Sequence, residues 1–399
     1  MDASKTSDLK GFRLTSIDLI RGGVMILMAI DHVRVFAGVP AGGPTFDIFF
    51  TRWVTHFCAP AFLFLAGTSA FFYGRKHTDL SRFLFIRGVW LAILELTILR
   101  LAWTFNFDFA HYEMAGVIWV IGWCMIFMAV LVKLPLPAVG AIGLVIIAGH
   151  NILDSHVRGL VPSLGNDLGS ALWKVLYVGF FAGPISFGND GPNLIVLYSL
   201  IPWIGVMAAG YAFGAIMLFE PARRNRFCFG IGLGAIALFL VLRSFNVYGD
   251  PRTWAVQTND GGMPSILSFL NTTKYPASLS FLLMTLGPAI ALIPWLERRR
   301  GVFAERIALF GRVPFFFYVL HIPLIHAESL AVSFITRGEV NSWLFANHPM
   351  GNPPPPAGYT WALWQLYLVW AITIGILYFA CRWFADVKSN RKDWWLKYV

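Results

Sequence analysis

The 399-residue sequence predicts an all-α, polytopic integral membrane protein: a helical bundle of about ten transmembrane helices with both termini in the cytosol. Three observations lead there. Hydrophobic residues make up 57% of the chain, charged residues only 13%, and the mean hydropathy is +0.65, which is outside the range of soluble domains. A series of apolar runs each reaches the ~20 residues that a bilayer requires. Cations concentrate in alternate connectors, as the positive-inside pattern demands.

In order, residues 1–14 are a short basic cytosolic tail with Lys5, Lys10 and Arg13. The first apolar run is too long for a cleavable signal peptide and is followed by no small-residue cleavage site. It gives a first span at 15–37 and is followed by a Gly/Pro-rich loop from Gly38 to Pro44. A second span, 52–73, carries His56, Cys58 and Pro60 near its start, and a third, 83–103, contains Arg87, Glu95 and Arg100. Spans four and five, 115–132 and 136–152, are joined by a Lys133-Leu-Pro-Leu-Pro turn. Ala171 to Phe187 is apolar but broken by Gly183-Pro184, and reads as an interfacial or re-entrant segment, since a full span would invert everything after it. Spans six to ten follow at 194–219, 227–245, 276–296, 307–334 and 361–385. The transmembrane domain is thus 15–386, and 387–399 is a second basic cytosolic tail.

Orientation comes from the cations. Connectors on the side of the N-terminus hold seventeen Lys and Arg, including the Arg223–Arg226 and Arg298–Arg300 runs, against six on the other side. This topology accounts for the net charge of +10 without nucleic acid as a partner. The partners expected are the lipid bilayer and small molecules, and a homodimer stays open. Cys58, Cys124, Cys228 and Cys381 lie in apolar runs with no paired spacing, which predicts free thiols; no metal ligand set is expected.

The informative stretch is Ser16–Phe36, SIDLIRGGVMILMAIDHVRVF. Charges in a span are costly, on the order of 3 kcal/mol each, and mark function. Asp18, Arg21, Asp31 and His32 all fall there. Eleven helical steps separate Arg21 from His32, about three turns, so both share one face roughly 16 Å apart. Asp18 lies on that face one turn before Arg21. With the termini inside, Arg21 lies toward the cytosol and His32 toward the outer face. His56 enters from outside to a similar depth. Glu95 and Arg100 read as a structural pair. His111, Glu113, His150 and Asp154 border the outer ends of spans, so groups suited to proton transfer collect outside. A neutral imidazole suits a general base, and arginine suits the phosphates of a coenzyme A-like donor. Arg87 is a second donor-side candidate, and His321, inside the ninth span, is a candidate for lining the cavity together with Asp18, His56 and Glu95. The same buried polar residues would also serve a proton- or anion-coupled transporter, the principal alternative.

Arg21, ten residues, then His32 resembles the Arg-x10-His signature of the acyltransferase-3 superfamily. The fuller text, RLTSIDLIRGGVMILMAIDHVRVF, then RWVTHFCAPAFLFLAGTSAFFYGRK and GRVPFFFYVLHIPLIH, more closely resembles the bacterial branch related to heparan-α-glucosaminide N-acetyltransferase. The resemblance implies a bacterial inner-membrane acyltransferase that takes an acyl group, most simply acetyl, from cytosolic acyl-CoA as co-substrate. The acceptor would be a hydroxyl or amine on a sugar, glycan or small molecule near the outer face. It implies Arg21 and His32 as the essential pair; Asp31, adjacent to His32 but not on its helical face, is a further catalytic candidate from the residues alone.

Overall fold

The computed structural model describes residues 14–43, 45–258, 262–349, 353–391 and 393–397. Lys5, Lys10, Arg13 and Lys392, counted above for topology, lie outside them.

The helices that position the site are α1 (Thr15–Phe36), α2 (Cys58–Lys76), α3 (Leu80–Leu94), α4 (Val117–Leu131), α5 (Leu136–Gly149), α6 (Leu200–Ile216), α7 (Pro221–Phe245), α8 (Leu279–Ala291), α9 (Val302–Arg312), α10 (Pro314–Arg337) and α11 (Leu363–Asn390). Among the described residues six helical stretches are long and apolar enough to cross a membrane: 46–76, 136–163, 221–245, 279–296, 314–337 and 363–390. Val117–Leu131, Leu168–Ala182 and Leu200–Ile216 are apolar but shorter. At about 1.5 Å per residue, α1 has the length of a span, but Asp18, Arg21, Asp31 and Arg34 are spread along it, so no 18-residue stretch of it holds fewer than three charges, whereas each of those six has a stretch with two or fewer.

Helix α1 is the central post. It packs against α2, α9, α10 and α11. Its approach to α9 is so close that a Cβ on Gly22 would lie 1.9 Å from the Ile307 carbonyl oxygen, and one on Gly311 would lie 2.0 Å from that of Asp18. Small residues that let backbones touch are the usual solution in membranes, where burial of apolar surface gives helices no reason to associate. Trp370 of α11 donates its indole N–H to the Ile26 carbonyl (2.9 Å) and holds the other side. A second group stacks α6 between α2 and α5, and α3 lies along α4.

Several boundaries differ from the expected spans, each with a local cause. The second span starts earlier, at Phe46, and passes through a 3₁₀ turn at Val54–Phe57 before α2. Pro60 lacks the N–H that would bond the residue four before it. The third span is interrupted at Glu95–Leu99 by a wide π turn and resumes as Arg100–Thr104; such turns concentrate at functional sites. The ninth span is two helices. Val313 leaves helical geometry (φ −131°, ψ 50°), as a residue before proline tends to, and Pro314 opens α10. Pro323 is accommodated within α10.

The chain is helical as expected, with one small sheet besides. Three short strands, β1 (Glu113–Ala115), β2 (Ile185–Ser186) and β3 (Asn193–Val196), form a sheet in the order β1-β3-β2, with β1 parallel and β2 antiparallel to β3. The start of the expected sixth span is therefore strand, and Ala171–Phe187 comprises most of the short helical stretch Leu168–Ala182 followed by β2 of this sheet. Loops beside a span must satisfy their backbone groups somewhere, and pairing with one another does so here.

Candidate active site

Arg21 and His32 open onto two different cavities. The first, of about 430 Å³, is lined at its polar end by Arg21, Ser69, Arg87, Arg312 and Lys388. One turn on from Arg21 and Arg87, Met25 and Leu91 continue the wall with apolar side chains, joined by Phe62, Ile121 and Met125. Arg21 donates from Nη2 to the Ser69 hydroxyl (2.7 Å) and reaches the Leu65 carbonyl at 3.5 Å. The result is a cationic mouth on a greasy shaft.

The second cavity, of about 510 Å³, contains His32, Asp31, Arg34, Arg52, His56, Glu95, Trp103, Lys274 and His348. Tyr318 lines both cavities and stands between them. Its phenol makes no hydrogen bond to any described residue.

His32 is held from two sides. Trp103 meets it edge to face at 4.8 Å between ring centroids, and His321 meets it edge to edge, with centroids 4.8 Å and planes 25° apart. The bonds around that pair assign the protons. His321 Nδ1 lies 2.6 Å from the Tyr318 carbonyl oxygen, which only accepts, so Nδ1 carries the hydrogen. In a neutral ring Nε2 of His321 is then the acceptor, and it lies 2.5 Å from His32 Nδ1. His32 therefore donates from Nδ1, and its Nε2 keeps a lone pair in the cavity. A backbone carbonyl thus sets the basic nitrogen through two imidazoles.

The other expected residues separate. Arg87 joins Arg21 in the first cavity, and His56 joins His32 in the second with Nδ1 lacking a partner among the described residues. Asp31 lines the second cavity but is turned to cations: Arg34 Nε lies 2.8 Å from one oxygen and Arg52 Nη1 3.5 Å from the other. It does not hold His32, the place expected of a catalytic partner. Asp18 is buried where α1 meets Gly311 and lines neither cavity. Glu95 lines the second cavity, yet it does not pair with Arg100. Its Oε2 accepts the backbone N–H of Ile118 (2.7 Å) and Trp119 (3.0 Å), which caps α4 at its positive end. Arg100 instead donates to the carbonyls of Tyr112, Asn106 and Asp108 and pins the loop before β1.

Much of the outer titratable cluster is structural. His150 spends its ring nitrogens on the carbonyls of Ile146 and Ala277, and Asp154 accepts from Tyr177 and Asn151. Both ring nitrogens of His326 meet carbonyls, of Ala102 and Leu344. Cys58 donates to the Val24 carbonyl at 3.2 Å, and all four cysteines are buried and unpaired. No cluster able to hold a metal occurs among the described residues.

Sequence reasoning missed Tyr318, Arg52, Lys274, Arg312 and Lys388 as wall residues. Lys388 and Lys274 stand in the sequence only as connector cations. The Gly311-Arg312-Val313-Pro314 run was the available hint for Arg312, since a break there turns its side chain to the first cavity.

Comparison with known families gives a match over residues 13–244 to one described as heparan-alpha-glucosaminide N-acetyltransferase, catalytic. That stretch includes Arg21, Asp31, His32, His56, Arg87 and Glu95; Lys274, Tyr318 and His321 lie beyond it. No curated protein matches the chain in sequence.

Proposed function

The chain belongs to the heparan-α-glucosaminide N-acetyltransferase catalytic family, and on that premise we propose that it moves an acetyl group across the membrane, from acetyl-CoA on the cytosolic side to a hydroxyl or amine near the outer face. The bundle would have about ten spans with both termini inside, in a bacterial inner membrane, and the acceptor would be a sugar or related small molecule. Arg21 and His32 would then play the parts of the Arg-x10-His pair of acyltransferase-3 proteins.

The observation that carries this reading is the two-cavity arrangement along α1, with one shared wall residue. The cationic mouth suits a donor with several phosphates. Arg21, Arg87, Arg312 and Lys388 supply charge-assisted contacts. The apolar shaft suits the thin arm that carries the thioester toward Tyr318. On the other side, His32 Nε2 accepts the proton of the acceptor's O–H or N–H as that atom bonds to the acyl carbon. The C–S bond breaks, and over the whole transfer the proton ends on the CoA thiol. Tyr318, with an uncommitted hydroxyl at the junction, donates to the developing oxyanion, where a fixed donor in a dry site is most effective. Asp31, between Arg34 and Arg52, keeps those cations from raising the positive field at His32. Membership in a transferase family weighs against the transporter alternative.

The test is binding and turnover of labelled acetyl-CoA by the purified full chain. Arg21→Ala removes one charged contact, of order 1.5–3 kcal/mol, so affinity for acetyl-CoA falls roughly tenfold or more. Unchanged affinity, or no acetyl-CoA binding by the wild type, rejects the first cavity as the donor site.

A further inference from the structure

The second cavity carries more positive charge than its own carboxylates match. Arg34, Arg52, Arg252 and Lys274 share its wall with Asp31 and Glu95. Both acids are committed. Asp31 sits between Arg34 and Arg52, and Glu95 caps α4 through the amides of Ile118 and Trp119. Lys274 is left over. It is only 8% exposed, and its ammonium has no hydrogen bond or ion pair to a described residue. Its contacts are the faces of Tyr198 and Tyr275, with ring centroids 5.7 and 5.2 Å away. Aromatic faces favour a cation, and the field of Asp31 reaches this ammonium, but that carboxylate is shared by Arg34 and Arg52 and makes no ion pair with Lys274.

The surrounding loop fixes the backbone on either side of Lys274. Asp250 accepts the backbone N–H of Thr273 (3.0 Å), the Thr273 hydroxyl (2.7 Å) and the Ser278 hydroxyl (3.0 Å). Asp250 is itself anchored by Arg243 at 3.8 Å. A lysine rooted in such a clamp, with its ammonium over two aromatic faces, is placed for a ligand. His56 points the same way. It is also 8% exposed, lines the same cavity, and its Nδ1 has no partner among the described residues.

We propose that the acceptor carries an anionic group, a carboxylate or a phosphate, that docks on Lys274 and so presents a neighbouring hydroxyl or amine to His32. His56 contributes a hydrogen bond to the same ligand. This rests on the reading of the second cavity as the acceptor site.

The experiment measures equilibrium binding to the full chain in nanodiscs with three probes: methyl glucoside, methyl glucuronide and glucose 6-phosphate. At least one acidic probe binds about tenfold or more tightly than the neutral sugar, and added salt narrows the gap. Preference for the glucuronide alone assigns a carboxylate, and for glucose 6-phosphate alone a phosphate. Lys274→Met removes the preference and Lys274→Arg keeps it. If the methionine variant does not fold, the wild-type ratio and its salt dependence still decide. Equal binding of all three, binding of none, or a preference that survives in Lys274→Met overturns the proposal. Binding is read without turnover. An acidic preference with no acetyl transfer would therefore fault the donor assignment alone, and transfer with no acidic preference would fault this inference alone.

Discussion

The basic nitrogen of His32 is set by a residue 289 positions further along the chain. His321 is fully buried and lines neither cavity, contrary to the expectation that it would. It acts through Nδ1 of His32, so it is a positioning residue. His32→Ala, which removes the proposed base, lowers kcat by ~10²–10⁴-fold. His321→Phe lowers kcat by a smaller factor and leaves the KM for acetyl-CoA unchanged. His321→Gln, whose amide oxygen accepts the same bond, retains more activity than the phenylalanine variant. Equal activity of the two His321 variants would reject the tautomer chain. Outside the spans, Glu113 on β1 gives a pH signature. Burial pushes its carboxyl up from 4.5 to about 7, against the pull of Arg100. An acid raised in the folded state is protonated in both states at low pH. Its penalty grows as pH rises through the unfolded value and is complete above the folded one. Wild type thus loses thermal stability between about pH 5 and 8, and Glu113→Gln flattens that fall. Parallel Tm curves for the two would contradict it. Of these residues, Arg21 and His32 were legible because a charge in an apolar run is conspicuous. The part played by Glu95 was not, because a helix cap made across a loop leaves no local pattern.

At the level of elements, the crossing of α1 and α9 keeps the two cavities in register. Gly311 meets the Asp18 carbonyl, and any Cβ there forces the helices apart. Gly311→Leu therefore destabilises by about 1–3 kcal/mol, the usual range for overpacking. It also lowers activity, because Arg312 and α10 move with it. Gly230→Ala, at an α7 position with open space around it, leaves the Tm and activity unchanged or slightly improved. A Gly311→Leu protein with wild-type Tm would refute the close crossing. Sequence periodicity located the helices well, since a span announces itself by length. It missed the break at Val313, the π turn at Glu95 and the three-stranded sheet. Each of these depends on backbone groups satisfied by distant partners, and hydropathy carries no record of that. Pro314 was visible, but a proline at a helix start and a proline inside a helix look alike until the preceding residue's geometry is known.

For the whole molecule, the central claim is that one substrate approaches from each side and the acyl group passes Tyr318 between them. The helical face shared by Arg21 and His32 was readable from the sequence. That this face opens on two cavities and not on one continuous slot was not readable, because Tyr318 enters from a helix nearly three hundred residues later. The direct measurement uses sealed vesicles with the protein in one orientation, acetyl-labelled acetyl-CoA confined to the cytosolic side and a sugar acceptor confined to the other. The account predicts labelled acceptor on the far side, free CoA remaining on the near side, and loss of both signals in His32→Ala. Labelled acceptor formed only when both substrates share one compartment, or formed equally by His32→Ala, would contradict it.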